Sequence, residues 1–346
     1  MQAVYLTEPG RFALREIADP EIRAPYEVRL KMQAVGICGS DLHYYRTGRI
    51  GNAVLGDPWI IGHECAGVVE SIGAEVKGLA PGDRVAVDPL IACGNCDQCR
   101  SGRVNTCRRQ HFLGSPGQQQ GCMCQLLVMP AACCVPVSPE LSVGAAVMVE
   151  PLAIALHAQR LYGSVEGKAI GILGAGPIGL CMLGVARLAG AEATAITERL
   201  PERLEMARGL GATSLHRVGR SDVVREILAL HPAGLDAVFE CTGEQSAIDQ
   251  AAEMLAPGGA LMILGIPEID RISFEMSVIR RKELRLGNVR RQNGCTEDAV
   301  AILGSKRLAL DPIITHHFDA RESQHAFDVA ANYREGVGKA LVHFDR

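Results

Sequence analysis

The chain carries no basic block and no acidic tail. Its 35 Lys and Arg against 39 Asp and Glu leave a formal net charge of −4 over 346 residues. No electrostatic footprint for a nucleic acid or an anionic membrane surface results. The opening Met1-Gln2-Ala3-Val4-Tyr5 shows neither a basic segment nor a long apolar one, so no signal peptide is expected. Low-complexity tracts are missing, apart from Gln118-Gln119-Gln120 in an expected loop. A membrane span needs roughly 20 mostly apolar residues. Residues 169–186 are uncharged and nearly long enough, but four glycines and a proline between 171 and 179 argue for a turn. A secreted disulfide scaffold is also disfavoured. Such scaffolds are shorter, and the thirteen cysteines would leave one thiol over. A reducing cytoplasm, with some thiolates on metal, accommodates them better.

What is present is enough for two domains with cores of their own, since hydrophobic residues make up 48% of the chain. One stretch organises the rest. Ala169 to Leu173 is apolar, Gly174-Ala175-Gly176-Pro177-Ile178-Gly179 follows, and a helical pattern runs to Leu188. A second apolar run, Ala193 to Ile196, ends at the acid Glu198. Strand, glycine turn, helix, strand, acid is the order a dinucleotide site requires. Gly174 permits the tight turn, Gly176 lets backbone approach a pyrophosphate, and Gly179 lets helix pack close to strand. The phosphates then meet the free N–H groups at the helix start. Glu198 stands where an acid accepts from the ribose hydroxyls.

Before residue 155 the pattern is β-rich. Val28 to Met32 alternates apolar and polar residues, Cys65 to Val69 reads as a strand, and Pro81-Gly82-Asp83 turns into another. Beyond Glu198, strands near Ser214, Ala237 and Leu261 alternate with helices. That alternation predicts a parallel sheet covered on both faces. Ligands bind off the carboxyl ends of such strands, where Cys241-Thr242-Gly243 and Leu264-Gly265-Ile266 fall. The tail has a helix from Ser323 and a last strand from Ala340, and is expected to return to the first domain. The fold class is therefore α/β, with domains expected at 1–155 and 156–289 and a returning segment at 290–346.

Cys93-x2-Cys96-x2-Cys99-x7-Cys107 is the second strong motif. Four thiolates at this spacing close a tetrahedral shell around zinc and leave no open position, so a structural zinc is expected. A zinc ribbon that binds nucleic acid would need stacking residues beside Arg100, Arg103, Arg108 and Arg109. Only Phe112 is there. The other cysteines read as small apolar filling.

Taken together, these residues resemble the zinc-dependent medium-chain dehydrogenases, and more narrowly their polyol, or sorbitol, branch. The resemblance runs over essentially the whole chain. It is carried by Gly36-Ile37-Cys38-Gly39-Ser40-Asp41-Leu42-His43-Tyr44, Gly48-Arg49-Ile50-Gly51, Gly62-His63-Glu64, the four-cysteine loop, Glu150-Pro151-Leu152, the glycine turn and Glu240-Cys241-Thr242-Gly243. It implies a GroES-like catalytic domain, a Rossmann domain and an NAD(P)-dependent oxidoreductase. It also implies a catalytic zinc on Cys38 and His63, with Glu64 and a water as further ligands. Glu150 stands at a third-ligand position, on zinc directly or through water. Ser40 and His43 occupy proton-relay positions, Tyr44 and Arg290 face substrate, and relatives are commonly dimers or tetramers. A thiolate, an imidazole and a carboxylate leave a coordination position open, as catalysis on an alcohol requires.

Three departures refine the expectation. The chain keeps the four-cysteine loop that animal sorbitol dehydrogenases have largely lost. The ribose acid is Glu198 rather than Asp. It is followed by Arg199 and Arg203, so NAD is favoured over NADP while the arginines soften the choice. Arg290 is followed by Arg291 rather than tyrosine, which suits an anionic sugar acid or polyol phosphate. The expected reaction is hydride transfer from a secondary alcohol of such a compound to NAD. A threonine dehydrogenase, a general alcohol dehydrogenase, a zinc-free quinone reductase and a non-enzymatic zinc-ribbon protein are the alternatives.

Overall fold

The computed structural model describes residues 1–345. The chain divides into two compact units. One combines Met1–Glu150 with the chain from Thr296 onward, and the other is Pro151–Cys295. The divisions thus fall at 150/151 and 295/296, rather than at 155/156 and 289/290. The first lies inside the opening turn of the helix Val149–Tyr162. The second moves Arg290 and Arg291 out of the returning tail. Val289 N–H bonds Ile263 O, and the Arg160 guanidinium bonds Gly294 O, so this segment is tied to the second unit.

The first unit is built on a seven-stranded sheet. Its order is Cys134–Pro136, Arg84–Val87, Glu64–Ile72, Glu27–Gly36, Lys339–His343, Ile314–Asp319, and Leu126–Pro130 also pairs with Glu27–Gly36. Glu27–Gly36 is central because alternate residues Val28, Leu30, Met32 and Ala34 are all fully buried. Full burial of the Val, Leu and Met side chains is worth about 1.5–3 kcal/mol each. The strand from the tail pairs antiparallel with it, His343 against Ala34 and Leu341 against Gly36. Residues three hundred positions apart in sequence therefore share one sheet.

The second unit is a six-stranded parallel sheet. Its order is Ser214–Arg217, Ala193–Glu198, Ala169–Leu173, Leu235–Glu240, Leu255–Ile263, Arg285–Asn288. Strands covered on both faces read as continuous apolar runs, and Ile170, Ile172 and Leu173 are buried accordingly. The chain winds outward in one direction from Ala169–Leu173, then returns to wind in the other from Leu235–Glu240. The gap between these two strands is the topological switch point, where ligands bind in such sheets. Among the described residues, no helix is long and apolar enough to cross a membrane.

Candidate active site and metal centres

In the first unit, Glu27–Gly36 ends beside the start of Glu64–Ile72, with Gly36 registered against Glu64. The pairing carries Cys38, just past one strand, onto His63 and Glu64 at the head of the other. The donor atoms of these three residues lie within 4.8 Å of one another. Cys38 is half-buried and caps the helix Gly39–Thr47, while His63 and Glu64 are buried. Gly36 is required here. A Cβ on it would stand 2.5 Å from Glu64 Oε2 and 2.8 Å from Lys339 Cε.

Two residues without an expected role hold this cluster. Asp41 Oδ1 lies 3.4 Å from His63 Nδ1, and Asp41 Oδ2 accepts the Cys38 backbone N–H at 3.1 Å. A carboxylate on Nδ1 turns the other ring nitrogen toward the thiol and sets its tautomer. Burial alone would depress His63, but the Asp41 and Cys38 anions override it and raise its pKa. Burial, and then the Glu64 charge, raise the Cys38 thiol. Lys339 is the second such residue. Its ammonium, 1% exposed, bonds the Glu64 carboxylate and donates to Ile37 O at 3.0 Å. The sequence did carry a signal for it: a charge at the head of a five-residue strand of otherwise apolar and histidine residues needs a buried counterion.

Glu150, in the first turn of its helix, is 5% exposed and outside the three-residue cluster. Its Oε2 is buried with no hydrogen-bond partner among the described residues. Burial pushes its carboxyl up to about 7, against the favourable charge of His63 and with the repulsion of Glu64. Ser40 and His43 lie one turn apart on the helix Gly39–Thr47, both partly exposed. Tyr44, on the same helix, is 6% exposed and packs in the apolar core of the unit.

The four-cysteine loop is gathered as its spacing predicts. Cys93–Cys99, Cys96–Cys99 and Cys96–Cys107 sulfurs stand 4.0, 3.6 and 3.8 Å apart. A tetrahedron of thiolates at about 2.3 Å from zinc has sulfurs about 3.8 Å apart, so the residues fit the ion. The separations exclude a disulfide, whose sulfurs lie about 2.05 Å apart. Backbone N–H groups point at the sulfurs, and that of Asn95 leads in bringing Cys93 down to about 6. Arg108 clamps Asp97 through two bonds of 2.6 and 2.9 Å and closes the loop. Cys65, Cys122, Cys124, Cys133 and Cys134 are buried in the apolar core instead.

In the second unit, Gly174 adopts φ +95°, and a Cβ there would meet Thr242 Cγ2 at 2.7 Å. A Cβ on Gly179 would overlap Gly174 O, while Gly176 meets nothing closer than Arg203 Nη1 at 3.6 Å. The middle glycine is therefore uncrowded, with Pro177 and Ile178 opening the helix Pro177–Leu188 behind it. The turns after the next two strands pack glycine against glycine, since a Cβ on Gly265 would overlap Gly243 N. Leu264 and Gly265 donate their N–H groups to Glu240 O, which ties this turn to Cys241–Gly243, while Ile266 is 42% exposed. Glu240 is fully buried and gathers the N–H groups of Thr242 and Gly243 on Oε1. Its role was not foreseen, because a Glu at the end of an apolar strand looks like a simple boundary.

The Glu198 carboxylate is anchored by backbone at the glycine turn. Its Oε2 accepts Ala175 N–H at 2.9 Å, and its Oε1 accepts those of Arg199 and Leu200 at 2.7 and 3.1 Å. Arg199 is exposed and Arg203 is 8% exposed. Arg290 is exposed, and Arg291 takes φ +54° in the loop that follows the strand Arg285–Asn288.

Comparison with known proteins bears on both units. Residues 24–140 match the model of the alcohol dehydrogenase GroES-like domain, and residues 177–304 that of the zinc-binding dehydrogenase. The chain is 32% identical over 347 residues to the sorbitol dehydrogenase of Bacillus subtilis, covering 100% of this chain and 98% of that protein. It is 32% identical to the L-idonate 5-dehydrogenase of Vitis vinifera, with 89% and 85% covered. A Sinorhizobium meliloti 1021 protein solved with NADP bound superposes with a TM-score of 0.90 at 31% identity, over 99% of each chain.

Proposed function

We propose a substrate class and a cofactor for a chain that belongs to the zinc-binding dehydrogenases, oxidoreductases that join a GroES-like domain to a dinucleotide-binding one. The enzyme oxidises a secondary alcohol of a polyol, sugar acid or polyol phosphate and passes the hydride to NAD. The observation that carries this reading is the convergence of Cys38, His63 and Glu64 donors within 4.8 Å, beside a buried Glu150 oxygen without a partner. A thiolate, an imidazole and a carboxylate suit zinc and leave it an open position.

Cys38, His63 and Glu64 would hold that zinc, with Glu150 on it directly or through water. The ion would lower the pKa of an alcohol while a nicotinamide accepts the hydride. The protein's own groups do the positioning. Asp41 fixes the His63 ring, and Lys339 neutralises Glu64 so that the buried site does not carry several anions at once. Ser40 and His43, a turn apart and partly exposed, offer hydroxyl and imidazole for passing a proton to water. Tyr44 and Arg290 are assigned to substrate by resemblance alone. The four-cysteine loop holds a second zinc that closes its own shell, so its part is structural. A metal count of about two zincs per chain is expected.

NAD is favoured because the Glu198 side chain stands at the glycine turn, anchored by three amides, where its charge repels a 2′-phosphate. The NADP in the Sinorhizobium meliloti structure is the counterweight. Comparing kcat/KM with the two cofactors decides it. Native enzyme should prefer NAD, and Glu198→Ser should shift the ratio toward NADP by about tenfold or more. A native preference for NADP sinks this part of the reading.

The pair Arg290-Arg291 supports an anionic substrate. Turnover of polyols, sugar acids and polyol phosphates, read at the reduced-nicotinamide band, tests it. Arg291→Ala should raise KM for the acids about tenfold and leave neutral polyols unchanged. Equal kinetics on both classes, with no loss in the variant, sinks the anionic preference. Thirteen cysteines with no disulfide among the described residues support a reducing, cytoplasmic setting. A homo-oligomer, dimer or tetramer, rests on the resemblance and is read by light scattering.

A further inference from the structure

We propose that a pocket on the first unit, away from both zinc sites, binds a divalent ion of the late first transition row through His317 and His343. The two histidines sit on the adjacent parallel strands Ile314–Asp319 and Lys339–His343, where Asp319 pairs with His343. His317 is thus the diagonal neighbour of His343 on the same face. Their rings stack with centroids 5.2 Å apart, and His317 Nδ1 lies 2.9 Å from His343 Nε2.

Two imidazole nitrogens that face each other share either a proton or a metal. With metal–nitrogen bonds of about 2.1 Å, nitrogens at this separation subtend roughly a right angle at the ion. That angle suits the tetragonal or octahedral preference of nickel and copper. The other nitrogen of His343 faces a carboxylate, Asp345 Oδ1, at 3.8 Å. Its charge, beyond hydrogen-bond reach, favours the tautomer with the proton on Nδ1, which leaves Nε2 a lone pair for an ion.

The surroundings mix polar and apolar side chains and have room. The pocket measures about 450 Å³ and is lined also by Ser142, Asp311 and Ile314, with no Lys or Arg among its described lining residues. Ser142 donates its hydroxyl to Asp311, which keeps that carboxylate facing the pocket's edge. Because two nitrogens are the protein's main donors, waters complete the shell. The ion is exchangeable, unlike one enclosed by four thiolates.

Nickel is the probe. Tag-free, zinc-loaded full chain is dialysed against micromolar nickel, and bound nickel and zinc are counted by mass spectrometry. About one nickel per chain is expected with zinc retained. His317→Ala and His343→Ala should each weaken uptake by about tenfold or more, and Asp345→Asn by less. His316→Ala, on the opposite face of the strand, should leave it unchanged. Melting curves and dehydrogenase turnover, both expected to match the parent, show that the variants are folded. Nickel taken up only as zinc is released, or uptake unaltered in both alanine variants, overturns the site.

Discussion

The two expected zinc sites of the first unit are assembled in opposite ways. The four-cysteine loop draws every donor from residues 93–107 and needs little more than its own turns. The Cys38–His63–Glu64 cluster draws on the ends of two strands, then on Asp41, Glu150 and Lys339 from three further segments. The loop satisfies itself, with sulfurs 3.6–4.0 Å apart and backbone N–H groups turned onto them. The other cluster is left incomplete, with a buried Glu150 oxygen that has no hydrogen-bond partner. A site made to hold an ion permanently is local and closed. A site made to exchange ligands is long-range and leaves a donor unsatisfied.

Crossing the two sites tests this contrast most sharply. Cys38→Ser should cut turnover by about a thousandfold and remove one of two zincs. Its melting temperature should change little. Cys96→Ser should do the reverse, removing the other zinc and costing about 3 kcal/mol or more of stability, or roughly 10 °C. Turnover per folded molecule should persist. If both variants lose activity and stability together, the contrast fails.

Lys339→Met sharpens the point from within the buried cluster. In metal-free protein it leaves the Glu64 charge buried and unpaired, which costs about 3–5 kcal/mol. Glu64→Gln in the same chain should recover part of that loss in urea unfolding. No recovery would mean that Lys339 stabilises the fold without Glu64.

Asp41→Asn is the mildest probe. It keeps the shape but weakens the hold on His63 Nδ1, so one zinc should bind about 10–100-fold more weakly. Competition with a chelator measures this. The zinc of the cysteine loop serves as internal control and should not shift.

Legibility followed the same division. The glycine turn was readable because each glycine answers a constraint within a few residues, φ +95° at Gly174 and overlap with Gly174 O at Gly179. The four-cysteine loop was readable for the same reason. Cys38, His63 and Glu64 could be picked out only as motifs, since their convergence depends on the register of Gly36 against Glu64. Lys339 was overlooked because its counterion lies 275 positions away. The position of Glu198 is legible as an acid after the second strand, but the three backbone amides that anchor its carboxylate depend on how two loops meet. The placement of Arg290 and Arg291 in the second unit is not legible in their residue types, because it follows from bonds of the flanking Val289 and Gly294.

The one-dimensional pattern was sufficient for the α/β class, the dinucleotide turn and the closed cysteine site. Each is dictated by backbone freedom, side-chain alternation or short loop closure among near neighbours. Three-dimensional packing settled where the units divide, which carboxylates are paired and which is left wanting, and that His317 and His343 meet. These depend on strands distant in sequence coming into register, and a buried charge takes whatever partner the completed core brings to it.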